Sequence, residues 1–135
     1  MSSKIEISKL GVKYHYFNDT LHREDGPAVE YPNGSKFWYK NGRYHREDGP
    51  AVEYHNGDRL WFINGRLHRE DGPAAEYFNA HKEWYKNDVL HREDGPAIEH
   101  TNGYKAWYLN GKCYDYNDNF TNESWKIFVK TLIFS

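Results

Sequence analysis

The residues with the clearest chemical potential lie in one heptapeptide, His-Arg-Glu-Asp-Gly-Pro-Ala, which occurs four times at intervals of 23 residues. We call each copy a block, and the blocks begin at His22, His45, His68 and His91. Imidazole and carboxylate groups can ligate metals or move protons, so each block contains groups suited to either chemistry. The regular spacing, without insertion, indicates an array of one small structural unit.

The repetition itself argues against a metal centre or an active site in the blocks. With two main strands per unit, equivalent imidazoles lie about 10 Å apart, too far to share one zinc ion, whereas a β-helix with one repeat per turn would bring them to about 4.8 Å. An active site needs an asymmetric constellation in a pocket that excludes water, and these residues recur identically. We therefore predict no catalytic residues, no metal ligands and no cofactor. The block is assigned to the bend between units, with its Arg paired to Glu or Asp.

Two Asn-Gly dipeptides in most units predict tight β-hairpins, because a type I′ turn needs positive φ at both central residues. In the first unit they are Asn33-Gly34 and Asn41-Gly42. The third unit has Asn79-Ala80 and Asn87-Asp88 instead, so another loop type is expected there. The predicted fold is an all-β repeat array: an elongated, twisted antiparallel meander sheet of four 23-residue hairpin units, with flanking half-repeats and one C-terminal α-helix.

The sequence divides into three segments around this array. Residues 1–20 are interpreted as an edge strand, which contains Ile5 and Ile7, followed by a degenerate half-repeat. Residues 21–112 hold the four units, and residues 113–135 form a C-terminal cap.

An amphipathic helix is predicted over about 121–133, because apolar residues such as Trp125 and Phe128 recur there at helical spacing. Thr121 is its expected N-cap, and Phe120 is expected to pack on Trp125. Two roles remain open for this helix: it closes the end of the sheet, or it presents a face to a partner.

Tryptophan forms a second invariant line through the array. One interpretation packs these side chains against Val29 and its equivalents as a thin core, and the other exposes them to stack on sugars or bases. Because side chains alternate along a strand, Tyr39 lies on the opposite face from Trp38. Both faces are therefore aromatic, and exposed aromatic surface of that extent is typical of a binding site. The four tryptophans are Trp38, Trp61, Trp84 and Trp107.

Positions that differ between units are the candidates for recognition, since repeat binders keep a fixed framework and vary their contacts. Neutral drift at exposed sites is the alternative explanation of this variation. Two residues of the helix, Trp125 and Phe128, are added to the candidates. The variable candidates are Phe37, Leu60, Glu83, His55, Phe78, His81 and Tyr104.

Composition restricts the cellular compartment and the classes of partner that we expect. The net charge of −2 gives no strong basic field for nucleic acid or an anionic membrane. Cys113 is the only cysteine, which fits a reducing compartment. We find no signal-peptide pattern and no apolar run long enough for a bilayer, so the prediction is a cytoplasmic protein without membrane contact.

The 23-residue period, the Asn-Gly hairpins and the Trp-Tyr strand resemble MORN-type repeats over roughly residues 11–112. The chain is most similar to a variant group, the His-Arg-Glu-Asp-Gly-Pro-Ala repeat proteins of large tailed bacteriophages. The resemblance implies a single elongated sheet of hairpins that acts as a scaffold for protein or lipid contact and has no shared catalytic residues. Because this chain has Arg-Glu-Asp where typical MORN units have more Gly-x-Gly character, lipid binding is not expected.

The predicted function is non-catalytic binding of a host or phage protein, with a phage accessory or counter-defence inhibitor in the host cytoplasm as the specific hypothesis. Carbohydrate binding through the aromatic residues is the alternative. Nucleic-acid binding is less favoured because the blocks are acidic. A homodimer through the edge of the sheet is a further expectation. The cations available for nucleic acid are Lys36, Arg59, Lys82 and Lys105.

Overall fold

The computed structural model describes residues 2–116 and 119–133, apart from the side chain of Ile133. The chain forms an open antiparallel sheet of successive hairpins followed by one helix, α1 (Asn122–Ile133), which confirms the predicted fold class. In the described ranges no helix is long and apolar enough to cross a membrane. Positions 1, 117, 118, 134 and 135 of the predicted terminal segments lie outside the described residues.

The strands follow the repeat. The N-terminal half-repeat contributes β1 (Ser3–Ile7), β2 (Lys13–Phe17) and β3 (Thr20–Leu21). The first unit contributes β4 (Val29–Glu30), β5 (Lys36–Phe37), β6 (Tyr39–Lys40) and β7 (Arg43–Tyr44). The second contributes β8 (Val52–Glu53), β9 (Arg59–Leu60), β10 (Phe62–Ile63) and β11 (Arg66–Leu67). The third contributes β12 (Ala75–Glu76), β13 (Lys82–Glu83), β14 (Tyr85–Lys86) and β15 (Val89–Leu90). The fourth contributes β16 (Ile98–Glu99), β17 (Lys105–Leu109) and β18 (Lys112–Asp115).

Each unit makes two hairpins with different places in the sheet. The first hairpin joins the main sheet, whose strand order is β1-β2-β4-β5-β8-β9-β12-β13-β16-β17-β18, with β3 paired to β2. The second hairpins, β6–β7, β10–β11 and β14–β15, form separate two-stranded ladders. The first three units thus leave the main sheet once and return through the next block, whereas the second hairpin of the fourth unit, β17–β18, stays in the main sheet.

The two turns of a unit differ in type. At the second turn Asn41 has φ 52° and Gly42 has φ 78°, which confirms the predicted type I′ turn. At the first turn only Gly34 has positive φ, and its N–H donates to the carbonyl of Tyr31 over 3.0 Å. This is a type I turn followed by a left-handed bulge residue, so the type I′ prediction is wrong there. Asn33 supports the turn by accepting the Ser35 N–H at 2.9 Å.

The third unit keeps these turns although it lacks their glycines. Ala80 has φ 68°, and Asn87 and Asp88 have φ 50° and 67°. The Ala80 N–H donates to the Tyr77 carbonyl over 2.8 Å, as the equivalent glycines do. The expectation of another loop type is therefore wrong. Pairing with the neighbouring units holds Ala80 in a conformation that costs a residue with a side chain about 1–2 kcal/mol.

The register of the main sheet sorts its side chains into two rows on opposite faces. One row alternates cations and carboxylates, so that every charge lies opposite charges of the other sign. The other row places Val29 opposite Phe37, which puts Val29 on the face away from Trp38 and contradicts the predicted packing of the tryptophans on the valines. The charged row is Lys13, Glu30, Lys36, Glu53, Arg59, Glu76, Lys82, Glu99 and Lys105. The uncharged row, interrupted only by Glu83, is Tyr14, Val29, Phe37, Val52, Leu60, Ala75, Glu83, Ile98 and Ala106.

Helix α1 covers the C-terminal end of the array. Trp107 and Trp125 are 1% and 0% exposed, and their ring centroids lie 5.4 Å apart. The N-terminus of the helix is fixed as the sequence predicts: Ser124 N–H donates to Thr121 Oγ1 at 3.1 Å, and the ring of Phe120 lies 5.0 Å from that of Trp125. Of the two roles left open for the helix, the structure supports the cap.

Replacing Trp125 with Ala should lower the free energy of unfolding by about 3–5 kcal/mol, because it empties a fully buried site over Trp107. Urea unfolding followed by tryptophan fluorescence and by circular dichroism measures the change. Ile127→Ala on the same helix is the matched control, since Ile127 is 67% exposed and should change stability by less than about 0.5 kcal/mol. Equal effects of the two variants would contradict the cap.

Candidate functional site

The histidine of each block ties the second hairpin of its unit to the chain. In the second unit the Asn64 N–H donates to His45 Nδ1 over 3.0 Å, while His45 Nε2 faces Glu47 at 3.4 Å. The same hydrogen bond joins Asn41 to His22, Asn87 to His68 and Asn110 to His91 at 2.9–3.1 Å. Because Nδ1 accepts a hydrogen bond from a backbone amide, the neutral ring carries its proton on Nε2. The histidine has a structural partner at both nitrogens.

In the last three blocks the arginine covers the tryptophan of the preceding unit. The Arg46 guanidinium carbon lies 3.9 Å from the centroid of the Trp38 ring, a cation–π distance. Its Nε donates to Asp48 over 3.0 Å and its Nη1 to the Pro50 carbonyl over 3.1 Å, and Glu53 lies at 3.5 Å. The predicted pairing of Arg with Glu and Asp is confirmed, whereas the contact with tryptophan was not predicted.

This contact repeats along the sheet, and we call the series the Arg–Trp ladder. It consists of Arg46 over Trp38, Arg69 over Trp61 and Arg92 over Trp84, at 3.8–3.9 Å. Each step joins one unit to the next, so the ladder fixes the stacking of the units.

Different residues complete the ladder at its two ends. At the start, Arg23 Nη1 lies 3.2 Å from Nε2 of His15, which occupies the tryptophan position of the half-repeat. Burial, and after it the charge of Arg23, lower the pKa of His15, which keeps this ring neutral and able to accept the hydrogen bond. At the far end Trp107 has no following arginine and is covered by Trp125, whose Nε1–H donates to the Arg92 carbonyl at 2.9 Å.

The same packing explains why the block contains glycine and alanine. A Cβ at Gly49 would lie 2.9 Å from the Arg46 guanidinium carbon, closer than real Cβ contacts. Ala51 is fully buried, as are Ala28, Ala74 and Ala97 in the other blocks. The heptapeptide is therefore invariant because each member has a packing or hydrogen-bonding partner. Over the two described ranges, no group of three or more His, Cys, Asp or Glu side chains is arranged to hold a metal ion.

The opposite face of the sheet carries a contiguous group of rings, which we call the aromatic face. Its members are Tyr31, Phe37, Tyr39, Tyr44, Tyr54 and Phe62. Phe37 lies between Tyr31 and Tyr54 at 5.5 and 5.6 Å in edge-to-face contacts, and Tyr44 lies 4.6 Å from Tyr39 and 5.0 Å from Phe62. Tyr31 and Tyr54 are each 41% exposed. Since α1 packs on the tryptophan side, the aromatic face stays open in the described chain.

The same face becomes more polar in the third and fourth units. Glu83 occupies the position of Phe37 and accepts a hydrogen bond from the Tyr85 hydroxyl at 3.0 Å. Burial, followed by the charge of Glu83, raises the pKa of Tyr85 far above its ordinary value. Further along, His81 stacks on His100 at 4.2 Å, and Tyr104 lies 5.1 Å from His100. The face therefore differs between the two halves of the array.

The predicted site residues fall into three places. Phe37, Leu60 and Glu83 lie in one row of the aromatic side. Trp125 is fully buried in the cap and Phe128 is half-buried there, so Trp125 cannot be a surface contact and its selection is corrected: helical spacing does not show which apolar residues a neighbouring sheet covers. The remaining candidates lie within the first turns or directly after them, with Phe78 69% exposed: His55 and Phe78 within, His81 and Tyr104 after.

Selecting variable positions missed the aromatic residues that most units share. Tyr31, Tyr39 and Tyr54 belong to the face but sit at framework positions. Strand alternation could have identified these aromatic residues. Tyr39 lies on the face opposite Trp38, and every second residue along the strand from Tyr39 shares its face.

The cations considered for nucleic acid alternate with carboxylates along the sheet. Lys36 lies opposite both Glu30 and Glu53, and Arg59 lies opposite both Glu53 and Glu76. These cations belong to the charged row, on the face opposite the aromatic face. On their own face the rings of Trp38, Trp61 and Trp84 are covered by block arginines.

Gly49→Ala should lower the free energy of unfolding by about 1–3 kcal/mol, because the new methyl displaces the Arg46 guanidinium from Trp38. A double-mutant cycle with Arg46→Ala separates this cause from a backbone effect, since φ of Gly49 lies outside the left-handed region. In the Arg46→Ala background the penalty of Gly49→Ala should fall below about 0.5 kcal/mol. A penalty that is the same in both backgrounds would refute the role assigned to the glycine.

Glu83→Gln should lower the pKa of Tyr85, though not to the ordinary tyrosine value, because burial remains. The pKa of Tyr39, raised by burial and then by Tyr44, should not move and is the internal control. Because folding favours the neutral phenols, the free energy of unfolding should decline above about pH 10, and less steeply in the variant. Ring-carbon NMR titration and urea unfolding at several pH values measure both effects; an unmoved Tyr85 would contradict them.

Comparison of the chain with protein-family models finds no matching family, and comparison with curated proteins finds no significant match. The resemblance to MORN-type repeats is carried by the repeat pattern alone and stays a prediction.

Proposed function

We propose that this chain is a non-catalytic protein-binding repeat module and that the aromatic face is its binding surface. The observation that carries the proposal is a contiguous group of rings on the open side of a single-layer sheet. Neighbouring ring centroids around Phe37 and Tyr44 lie 4.6–6.2 Å apart, and the longest distance joins these two rings. Contiguous exposed aromatic surface is typical of interaction sites. Tyrosine in particular is enriched at the cores of protein interfaces, because it offers an apolar ring together with a hydrogen-bonding hydroxyl.

The variation along the face supplies the specificity. Phe37, Leu60 and Glu83 hold equivalent places in successive units, so a bound partner meets an aromatic, then an aliphatic, then an acidic side chain. A partner segment that runs along the sheet with apolar groups at one end and a donor or cation at the other would match this order. The fixed framework holds these positions at constant spacing.

The specific hypothesis for the partner comes from the resemblance to phage repeat proteins. A phage accessory or counter-defence protein would bind and inhibit a host protein in the host cytoplasm, and its fold need not contribute catalysis. A homodimer is a second association that the sequence predicts.

The geometry of the rings favours a protein partner over a carbohydrate ligand. Sugars stack on free ring faces, whereas Phe37 is held between the rings of Tyr31 and Tyr54 at interplanar angles of 66° and 86°. A glycan array with tryptophan and tyrosine fluorescence quenching tests the carbohydrate alternative. Glycan binding that is abolished by Tyr31→Ser/Tyr54→Ser would replace the present proposal.

Affinity capture with the immobilised full chain, followed by mass spectrometry and titration of the captured protein, tests the proposal. Tyr31→Ser/Tyr54→Ser should weaken binding at least about tenfold, because it truncates two exposed members of the face. Ile127→Ser removes a more exposed apolar side chain away from the face and should leave the affinity within about twofold. Recovery of no stoichiometric partner, or equal affinities of the two variants, would refute the proposal.

A further inference from the structure

The N-terminal edge of the sheet is formed by β1, which among the residues that the structure describes pairs with β2 on one side only. All five residues, Ser3–Ile7, are exposed, and Ile5 and Ile7 are 57% and 69% exposed. At five residues β1 is longer than the two-residue strands of the first three units. Long exposed edges with apolar side chains invite pairing with another strand.

The hydrogen bonds to β2 show which backbone groups of β1 face outward. Ser2 accepts from the Asn18 N–H at 3.0 Å, and the Ser8 N–H donates to Val12 at 2.9 Å. Hydrogen-bonded pairs alternate along an antiparallel ladder, so the even-numbered residues between them also face β2. The N–H and C=O groups of Ser3, Ile5 and Ile7 therefore point away from the sheet, towards the open edge.

The side chains of β1 complement those of a second, antiparallel copy. Lys4 and Glu6 share one face and form an ion pair at 2.6 Å within the strand. When two copies align about Ile5, Ile5 faces Ile5, Ser3 faces Ile7, and Lys4 of each copy faces Glu6 of the other. The outward backbone groups meet in the same register. A shift by one step in either direction that keeps these groups paired would set Lys4 against Lys4 or Glu6 against Glu6, which is repulsive.

We propose that two copies of this chain form a symmetric dimer by antiparallel pairing of β1 with β1, centred on Ile5. The pairing continues the sheet across both copies. Because directly opposed residues lie on the same face, both aromatic faces look to the same side of the joined sheet. Such an interface is isologous and closed, so it makes dimers and not filaments. A five-residue contact falls short of the about 1,200 Å² typical of stable interfaces, so the dimer forms reversibly and depends on concentration.

Charge reversal tests this register. In sedimentation equilibrium of the full chain, Lys4→Glu and Glu6→Lys should each raise the dimer Kd about tenfold or more, because each sets like charges opposite one another. An equimolar mixture of the two variants should form a heterodimer, and the double variant Lys4→Glu/Glu6→Lys should dimerise like the wild type. A wild-type chain that stays monomeric up to about 1 mM, or reversals without effect, would overturn the proposal. So would a mixture or a double variant that fails to restore association.

A backbone variant gives an independent test. Ile5→Pro removes an outward N–H and leaves the ladder to β2 intact, so the chain should fold, as circular dichroism can check, and remain monomeric. Leu10→Ser is the control, since Leu10 is 85% exposed but lies outside β1, and its dimer Kd should stay within about twofold of the wild type. If Ile5→Pro fails to fold, the charge-reversal series decides. The measurement uses the chain alone, so it is independent of the partner proposed for the aromatic face.

Discussion

The stacking of the last three block arginines, Arg46, Arg69 and Arg92, each on the tryptophan of the preceding unit, is the contact on which the array depends. A single-layer sheet has no second layer to bury its side chains against, and the strands of the first three units are only two residues long. Each guanidinium lies 3.8–3.9 Å from a ring and is worth about 0.5–2 kcal/mol where water is partly excluded. Because every such contact joins neighbouring units, cohesion accumulates along one dimension.

An array held together by contacts between neighbouring units needs a different contact at each end, where a neighbour is missing. The first arginine has no tryptophan before it and meets His15, whose lowered pKa keeps it a neutral acceptor. Trp107, the last tryptophan of the array, has no arginine after it and is covered by Trp125 in a compact apolar cluster with Val129. The half-repeat and the helix are thus the two terminations that the ladder requires.

Local features of the fold could be predicted from the sequence, and contacts between units could not. The hairpins, the helix and its Thr121 cap follow from turn chemistry and periodicity within a few residues. The Arg46–Trp38 contact spans two units and leaves no short-range signal. The left-handed Ala80 was missed because pairing with the neighbouring units overrides its local preference. For the site, variation between units identified Phe37 but not Tyr54, since shared framework residues contribute to the face as well.

Because side chains alternate along each strand, the two faces of the sheet carry different sets of residues. On one face the arginines, tryptophans and alternating charges satisfy one another, so that the row from Glu30 to Lys105 presents little net charge to a ligand. Because these charges balance one another, this face offers little net attraction to a charged ligand. On the other face the row from Phe37 to Glu83 changes from apolar to acidic while the framework stays constant. A partner of the proposed kind, reading the order of these side chains, would have to lie along several units at once. Under that proposal recognition would belong to the array and not to any single repeat.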